Sequence, residues 1–95
     1  INSESNKVMV IQIYTANFCG YCTLAKKMLT KKNVPFLETN LTLEPIKRSE
    51  MIERSNGLSS VPQIFISNMH VGGYDEISQL EKSGRLDSIL KESKS

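Results

Sequence analysis

At 95 residues the chain has room for one domain with a modest core. Apolar residues make up 39% and charged residues 23%, with a formal charge of +2, which describes an ordinary globular chain; the lysines are spread out, so nothing points to nucleic acid. No apolar run approaches the ~20 residues of a membrane span, which excludes a spanning helix.

Residues 1–7 are polar and lack an initiator Met, so they read as a flexible end, either an added tail or the stub of a removed leader. Val8 to Tyr14 is nearly continuous in apolar residues, as expected of a strand covered on both faces. Thr15 to Phe18 form a loop, and a helix is predicted from about Gly20 to Lys32. Leu24, Ala25, Met28 and Leu29 fall on one stripe of it. Lys26, Lys27, Lys31 and Lys32 line the rest, a solvated face whose last-turn cations also suit the negative end of the helix dipole.

Asn33-Val34-Pro35 breaks that helix, and Pro35 to Leu41 reads as a second strand, with Phe36, Leu37 and Leu41 as its apolar residues. A strand–helix–strand unit of this length implies a right-handed crossover and parallel pairing. Thr42-Leu43-Glu44-Pro45 opens a second helix with Pro45 in its first turn. Ile46 and Ile52, helped by Met51, are expected to supply its buried side, and Asn56-Gly57 to end it. After Val61-Pro62 comes Gln63 to Ile66, then Ser67-Asn68-Met69 turns into His70-Val71, a hairpin pattern. Gly72-Gly73-Tyr74-Asp75 leads into a third helix with Asp75 as N-cap and Ile77 and Leu80 facing inward. Gly84 closes it, and Leu86, Ile89 and Leu90 mark a last short helix before a polar tail at 92–95. The pattern β-α-β-α-β-β-α plus a terminal helix predicts an α/β fold: a four-stranded mixed sheet flanked by helices on both faces.

Both cysteines stand at the junction of the first strand and first helix, in Phe18-Cys19-Gly20-Tyr21-Cys22. A strand, a short loop and a helix opening on C-x-x-C is the pattern of a thioredoxin-like redox site. A helix start presents unpaired N–H groups and a partial positive charge, so a sulfur placed there is favoured as thiolate. The dipole contributes about 0.3–2 kcal/mol, so a larger effect requires direct N–H bonds to sulfur. A structural zinc site needs four Cys or His ligands, and the chain has two Cys and one His. A structural disulfide across this spacing would close a very short loop and remove little unfolded-state entropy. A pair of buried structural thiols is the remaining alternative to redox chemistry. Two cysteines in this spacing suit a reducing compartment, which points to the cytoplasm, or to an organelle if a leader was removed.

Taken together, these motifs resemble a glutaredoxin over nearly all of residues 8–91. Cys-Gly-Tyr-Cys resembles that family's Cys-Pro-Tyr-Cys site. Ser60-Val61-Pro62-Gln63-Ile64-Phe65-Ile66 resembles its Thr-Val-Pro segment and following strand. His70-Val71-Gly72-Gly73 with Asp75 resembles its glycine pair and acidic residue. A thioredoxin proper would carry Trp-Cys-Gly-Pro-Cys, and this chain has no Trp. The resemblance implies a thioredoxin-like fold, a single domain over 1–95, and a cis Val61–Pro62 bond facing the cysteines. It implies Cys19 as nucleophile and Cys22 as resolving thiol, in a monomer that uses glutathione to reduce glutathionylated proteins and protein disulfides.

For glutathione itself the resemblance implies a site in which Tyr21 flanks the tripeptide and Val61, within Ser60-Val61-Pro62, makes main-chain bonds to it. Gly73 allows close approach, and Tyr74 and Asp75 meet the γ-glutamyl end, where Asp75 binds the ammonium. Two cations that many relatives use are absent, since Ala16 and Leu58 hold their positions; Lys47 or Arg48 is the candidate replacement. Gly20 stands where the family often has Pro, and glutaredoxins with Gly there include members that hold a [2Fe-2S] cluster between two protomers. Cys19 as a cluster ligand in a glutathione-containing homodimer, in an iron–sulfur carrier or sensor, is therefore the alternative reading. A redox-inert interaction module is a third. His70 is expected to be a plain hairpin residue, and Met28, Met51 and Met69 to be packing.

Overall fold

The computed structural model describes residues 10–92. Val8 and Met9 of the expected first strand, the end at 1–7 and the tail from 93 onward lie outside the described residues; Glu92 ends the last helix. The elements are β1 Ile11–Thr15, α1 Gly20–Lys31, β2 Leu37–Asn40, a 3-10 turn at Pro45–Lys47 running into α2 Arg48–Arg54, β3 Gln63–Ile66, β4 Met69–Gly72, α3 Tyr74–Lys82 and α4 Arg85–Glu92. The sheet runs β2-β1-β3-β4, with β1 and β2 parallel and the other neighbours antiparallel. This is the mixed four-stranded sheet the sequence predicts. Ser67 and Asn68 both take positive φ, 50° and 69°, in the two-residue turn that joins β3 to β4.

Side chains alternate across the strands, and the two faces differ. Ile11, Ile13, Ile64 and Ile66 face Ala25 and Leu29 of α1, Ile77 of α3, and Leu86 and Leu90 of α4 in one aliphatic cluster. Burying each Ile or Leu contributes about 1.5–3 kcal/mol. Tyr14 and Phe65 face the other way, against Leu41 and Met51. That smaller cluster is sealed by polar contacts. Arg54 donates to the Tyr14 hydroxyl and to Gln12 Oε1, both at 2.8 Å, and its guanidinium lies 4.2 Å from the Phe65 ring centroid. The Tyr14 hydroxyl in turn donates to Glu50, holding that carboxyl below the usual range.

Three expectations about side-chain placement are corrected. Ile46 is 84% exposed, while Met51 and Ser55 are fully buried. Ile46 lies in the 3-10 turn ahead of α2, outside the helix that carries the buried side. Met51 and Ser55, one turn apart, define that side, and Ile52 packs partly buried against the same cluster. Leu24 is also more exposed than its stripe suggested, because α1 buries Cys22, Ala25 and Leu29. Asp75 is not the N-cap of α3: Gly73 is, and Asp75 lies inside the first turn. The chain enters the helix early because Glu76 Oε1 accepts the Gly73 N–H at 2.7 Å.

Candidate active site

Cys19 is the N-cap of α1, with extended backbone (φ −115°, ψ 107°), and its Sγ accepts the Cys22 N–H at 3.1 Å. The sulfur thus occupies the place where Ser, Thr or Asp oxygen usually satisfies an unpaired amide. The donor and the positive end of the dipole both favour negative charge on that atom. Cys19 is half-buried, whereas Cys22, one turn into the helix, is 2% exposed. Burial, followed by its hydrogen bond with Cys19, pushes the Cys22 thiol up to about 12. One turn of helix therefore holds one accessible sulfur and one that keeps its proton at neutral pH.

The loop before Cys19 is tied to the turn after β2. The Asn17 N–H donates to Thr42 Oγ1 and Asn40 Nδ2 donates to Asn17 Oδ1, both at 2.9 Å. Phe18, in the left-handed region at φ 57°, stands fully in solvent beside the cysteine.

A groove of about 410 Å³ opens at Tyr21, near the start of α1. Tyr21, Ser60, Val61, Pro62, Gly73, Tyr74 and Asp75 all line it, so the fold brings these seven expected residues to one groove. Cys19, two residues before Tyr21 in the chain, lines a separate depression with Ala16 and Gly20. The Val61–Pro62 bond is cis, as expected. Gly73 lies so close to this segment that a Cβ there would come within 3.2 Å of the Pro62 carbonyl oxygen. Gly72 has φ 118°, and a Cβ on it would meet the Glu76 side chain at 2.8 Å. Leu58 lines the groove and brings no charge. Of the two candidate replacement cations, Arg48 donates to the Ser59 carbonyl at 2.8 Å, beside the groove, whereas Lys47 pairs with Glu50 at 3.7 Å.

Several features were not anticipated. The Tyr21 and Tyr74 rings stack at 5.7 Å and 26°, joining the starts of α1 and α3. Gln63, His70 and Glu76 also line the groove. His70, on the β3–β4 hairpin as expected, places Nε2 2.7 Å from Gln63 Oε1. The available signal was a lone Gln opening an apolar strand, a polar group that must find partners once buried.

The family model for glutaredoxin matches residues 11–71. Glutaredoxin 1 of Rickettsia prowazekii is 52% identical over 84 residues, covering 85% of this chain and 86% of that protein. Glutaredoxin 3 of Escherichia coli K12 is 46% identical over 81 residues, covering 85% and 96%. The solution structure of glutaredoxin from Brucella melitensis is similar at a TM-score of 0.76 and 44% identity, covering 90% of this chain and 91% of that one. With its accessible helix-capping thiol, its C-x-x-C turn and this similarity, the chain belongs to the glutaredoxin family and is a thiol–disulfide oxidoreductase.

Proposed function

We propose that the protein reduces glutathione mixed disulfides and protein disulfides at the expense of glutathione, with Cys19 as nucleophile and Cys22 as resolving thiol. The observation that carries this reading is the N–H-bonded Cys19 sulfur at the start of α1, whose first turn also sends Tyr21 into a groove that gathers Ser60, Val61, Pro62, Gly73, Tyr74 and Asp75. The Val61 backbone pairs with the extended tripeptide. Its γ-glutamyl carboxylate meets the start of α3, and Asp75 takes its ammonium. Arg48, held on the Ser59 carbonyl, is the cation assigned to the glycyl carboxylate, in place of the positions held by Ala16 and Leu58.

The Cys19 thiolate attacks the glutathionyl sulfur of a mixed disulfide. A bond forms between Cys19 and glutathione, and the substrate sulfur leaves as a thiolate that is protonated from water. A second glutathione thiolate attacks the glutathionyl sulfur on Cys19, giving glutathione disulfide and restoring the Cys19 thiolate. In the dithiol route Cys19 attacks a protein disulfide and holds one substrate sulfur. Cys22, after losing its proton, attacks the Cys19 sulfur, forming a Cys19–Cys22 disulfide and releasing that substrate sulfur as a thiolate. Two glutathiones reduce the new disulfide and leave as glutathione disulfide. Burial first, and then the neighbouring Cys19, hold the proton on Cys22, so its attack requires a base to take that proton.

Turnover on a small glutathione mixed disulfide tests the assignment. Cys19→Ser is expected to fall to the uncatalysed background, and Cys22→Ser to keep deglutathionylation while losing protein-disulfide reduction. Substantial turnover by Cys19→Ser overturns the roles.

The carrier reading rests on Gly20, which has nothing within 4 Å of where a Cβ would stand and so leaves space beside Cys19. Among the described residues no group of three or more His, Cys, Asp and Glu side chains gathers to hold a metal ion. A [2Fe-2S] cluster would therefore take Cys19 from each of two copies and complete its ligands from bound thiols. Protein purified anaerobically with glutathione separates the readings: a colourless monomer with brisk turnover supports the enzyme, and a brown dimer with feeble turnover replaces it. Thiols inert to mild alkylation would leave the interaction module. The enzyme reading places the protein in a reducing compartment, the cytoplasm, with glutathionylated and disulfide-bonded proteins as partners. Among the described residues no helix is long and apolar enough to cross a membrane.

A further inference from the structure

We propose that His70 is a positioning residue: through Gln63 it fixes the Ser60-Val61-Pro62 wall of the groove and so sets affinity for the groove's ligand. This rests on the reading of the groove as the glutathione site.

Gln63 is 2% exposed, so both ends of its amide need partners. Its Nε2 donates to the Ser60 carbonyl at 3.1 Å and reaches Ser60 Oγ at 3.3 Å. The reverse amide orientation would set oxygen against the Ser60 carbonyl oxygen, acceptor against acceptor. Gln63 Oε1 therefore faces His70 Nε2 at 2.7 Å and requires a donor there. An imidazole nitrogen that donates must carry the proton, which assigns His70 the Nε2–H form. The ring is held at that angle by packing on Phe65, centroids 5.1 Å apart.

His70 sits on β4, two residues before Gly72, and Ser60 lies just ahead of β3. The relay therefore ties the two backbone segments that line the groove, one ending in Val61-Pro62 and the other in Gly72-Gly73. Without the His70 donor, Gln63 Oε1 is buried and unpaired. The amide then turns toward any available donor, and the Ser60 carbonyl loses its partner.

Two substitutions separate the donor from the ring. His70→Phe keeps an aromatic ring against Phe65 and removes the donor; His70→Gln removes the ring and keeps an N–H. With a small glutathione mixed disulfide as substrate, His70→Phe is expected to raise KM about three- to tenfold, the effect of one hydrogen bond, with kcat nearly unchanged. His70→Gln is expected to recover most of that loss. Imidazole nitrogen NMR of the wild-type protein is expected to show the Nε2–H form. The Gln63 side-chain amide signals are expected to shift in His70→Phe and to return toward wild type in His70→Gln.

A wild-type KM in His70→Phe, or a His70→Gln as impaired as His70→Phe, overturns the relay. So does an Nδ1–H form in the wild-type spectrum, which needs no variant to fold. Absence of wild-type turnover on the glutathione substrate is a separate result, which sinks the glutathione reading and with it the affinity role.

Discussion

Phe18, Gly20 and Tyr21 stand largely in solvent around Cys19, whereas across the groove Pro62 and Gln63 are buried and Gly72 is closed in by Glu76. On the cysteine side the chemistry depends on two sulfurs and on the backbone amides of one helical turn. On the facing side it depends on backbone shape, held by the Gln63–Ser60 and Glu76–Gly73 contacts. The lesson is a division of labour. Side chains near Cys19 are sterically free to vary, while the backbone of the groove wall is closely specified.

Gly72 puts this contrast to the sharpest test. Gly72→Ala forces a side chain into φ 118° and against Glu76 at 2.8 Å, and is expected to destabilise the fold by about 1–3 kcal/mol in denaturant titration. A cost near zero would mean that the facing wall yields as easily as the cysteine side.

Cys22 gives an intermediate test, because it anchors the cysteine turn in the core. Its thiol is raised from 9.0 to about 12 by burial and by Cys19. The folded chain keeps a proton that the unfolded chain releases above 9.0. This contribution is thus complete below that pH and declines as pH climbs toward 12. Unfolding curves of wild type and Cys22→Ser are expected to diverge in slope across that window; parallel curves would mean that Cys22 is not held protonated by the fold. The smallest effect belongs to Gly20→Ala, which adds a methyl to open space at the first position of α1. It is expected to stabilise by about 0.4–1 kcal/mol, by restricting the unfolded chain. A loss of stability there would show that the cysteine side is more constrained than its exposure suggests.

The sheet and its helices were legible because they rest on local periodicity: continuous apolar runs in β1 and β3, the Ala25–Leu29 stripe, and turn residues at Asn56-Gly57 and Ser67-Asn68. The seven groove residues were legible only through resemblance, since they come from three separate stretches that meet once the sheet forms. The Tyr21–Tyr74 stack and the Arg54 contacts to Tyr14, Gln12 and Phe65 were not legible. Such pairs span tens of residues and depend on how helices sit on the sheet, which spacing does not encode. Ile46 was not legible for a different reason: composition does not separate the 3-10 turn at Pro45–Lys47 from the helix that follows it.

Both outer strands, β2 and β4, are four residues long, or about 13 Å at 3.3 Å per residue. β2 pairs Glu38 with Lys26 at 3.0 Å, and β4 runs directly into the left-handed Gly72. Margins this short, one charged and the other abruptly terminated, give a foreign strand little to zip onto. A thiol–disulfide oxidoreductase with such margins exposes its sulfur without exposing a template for co-aggregation.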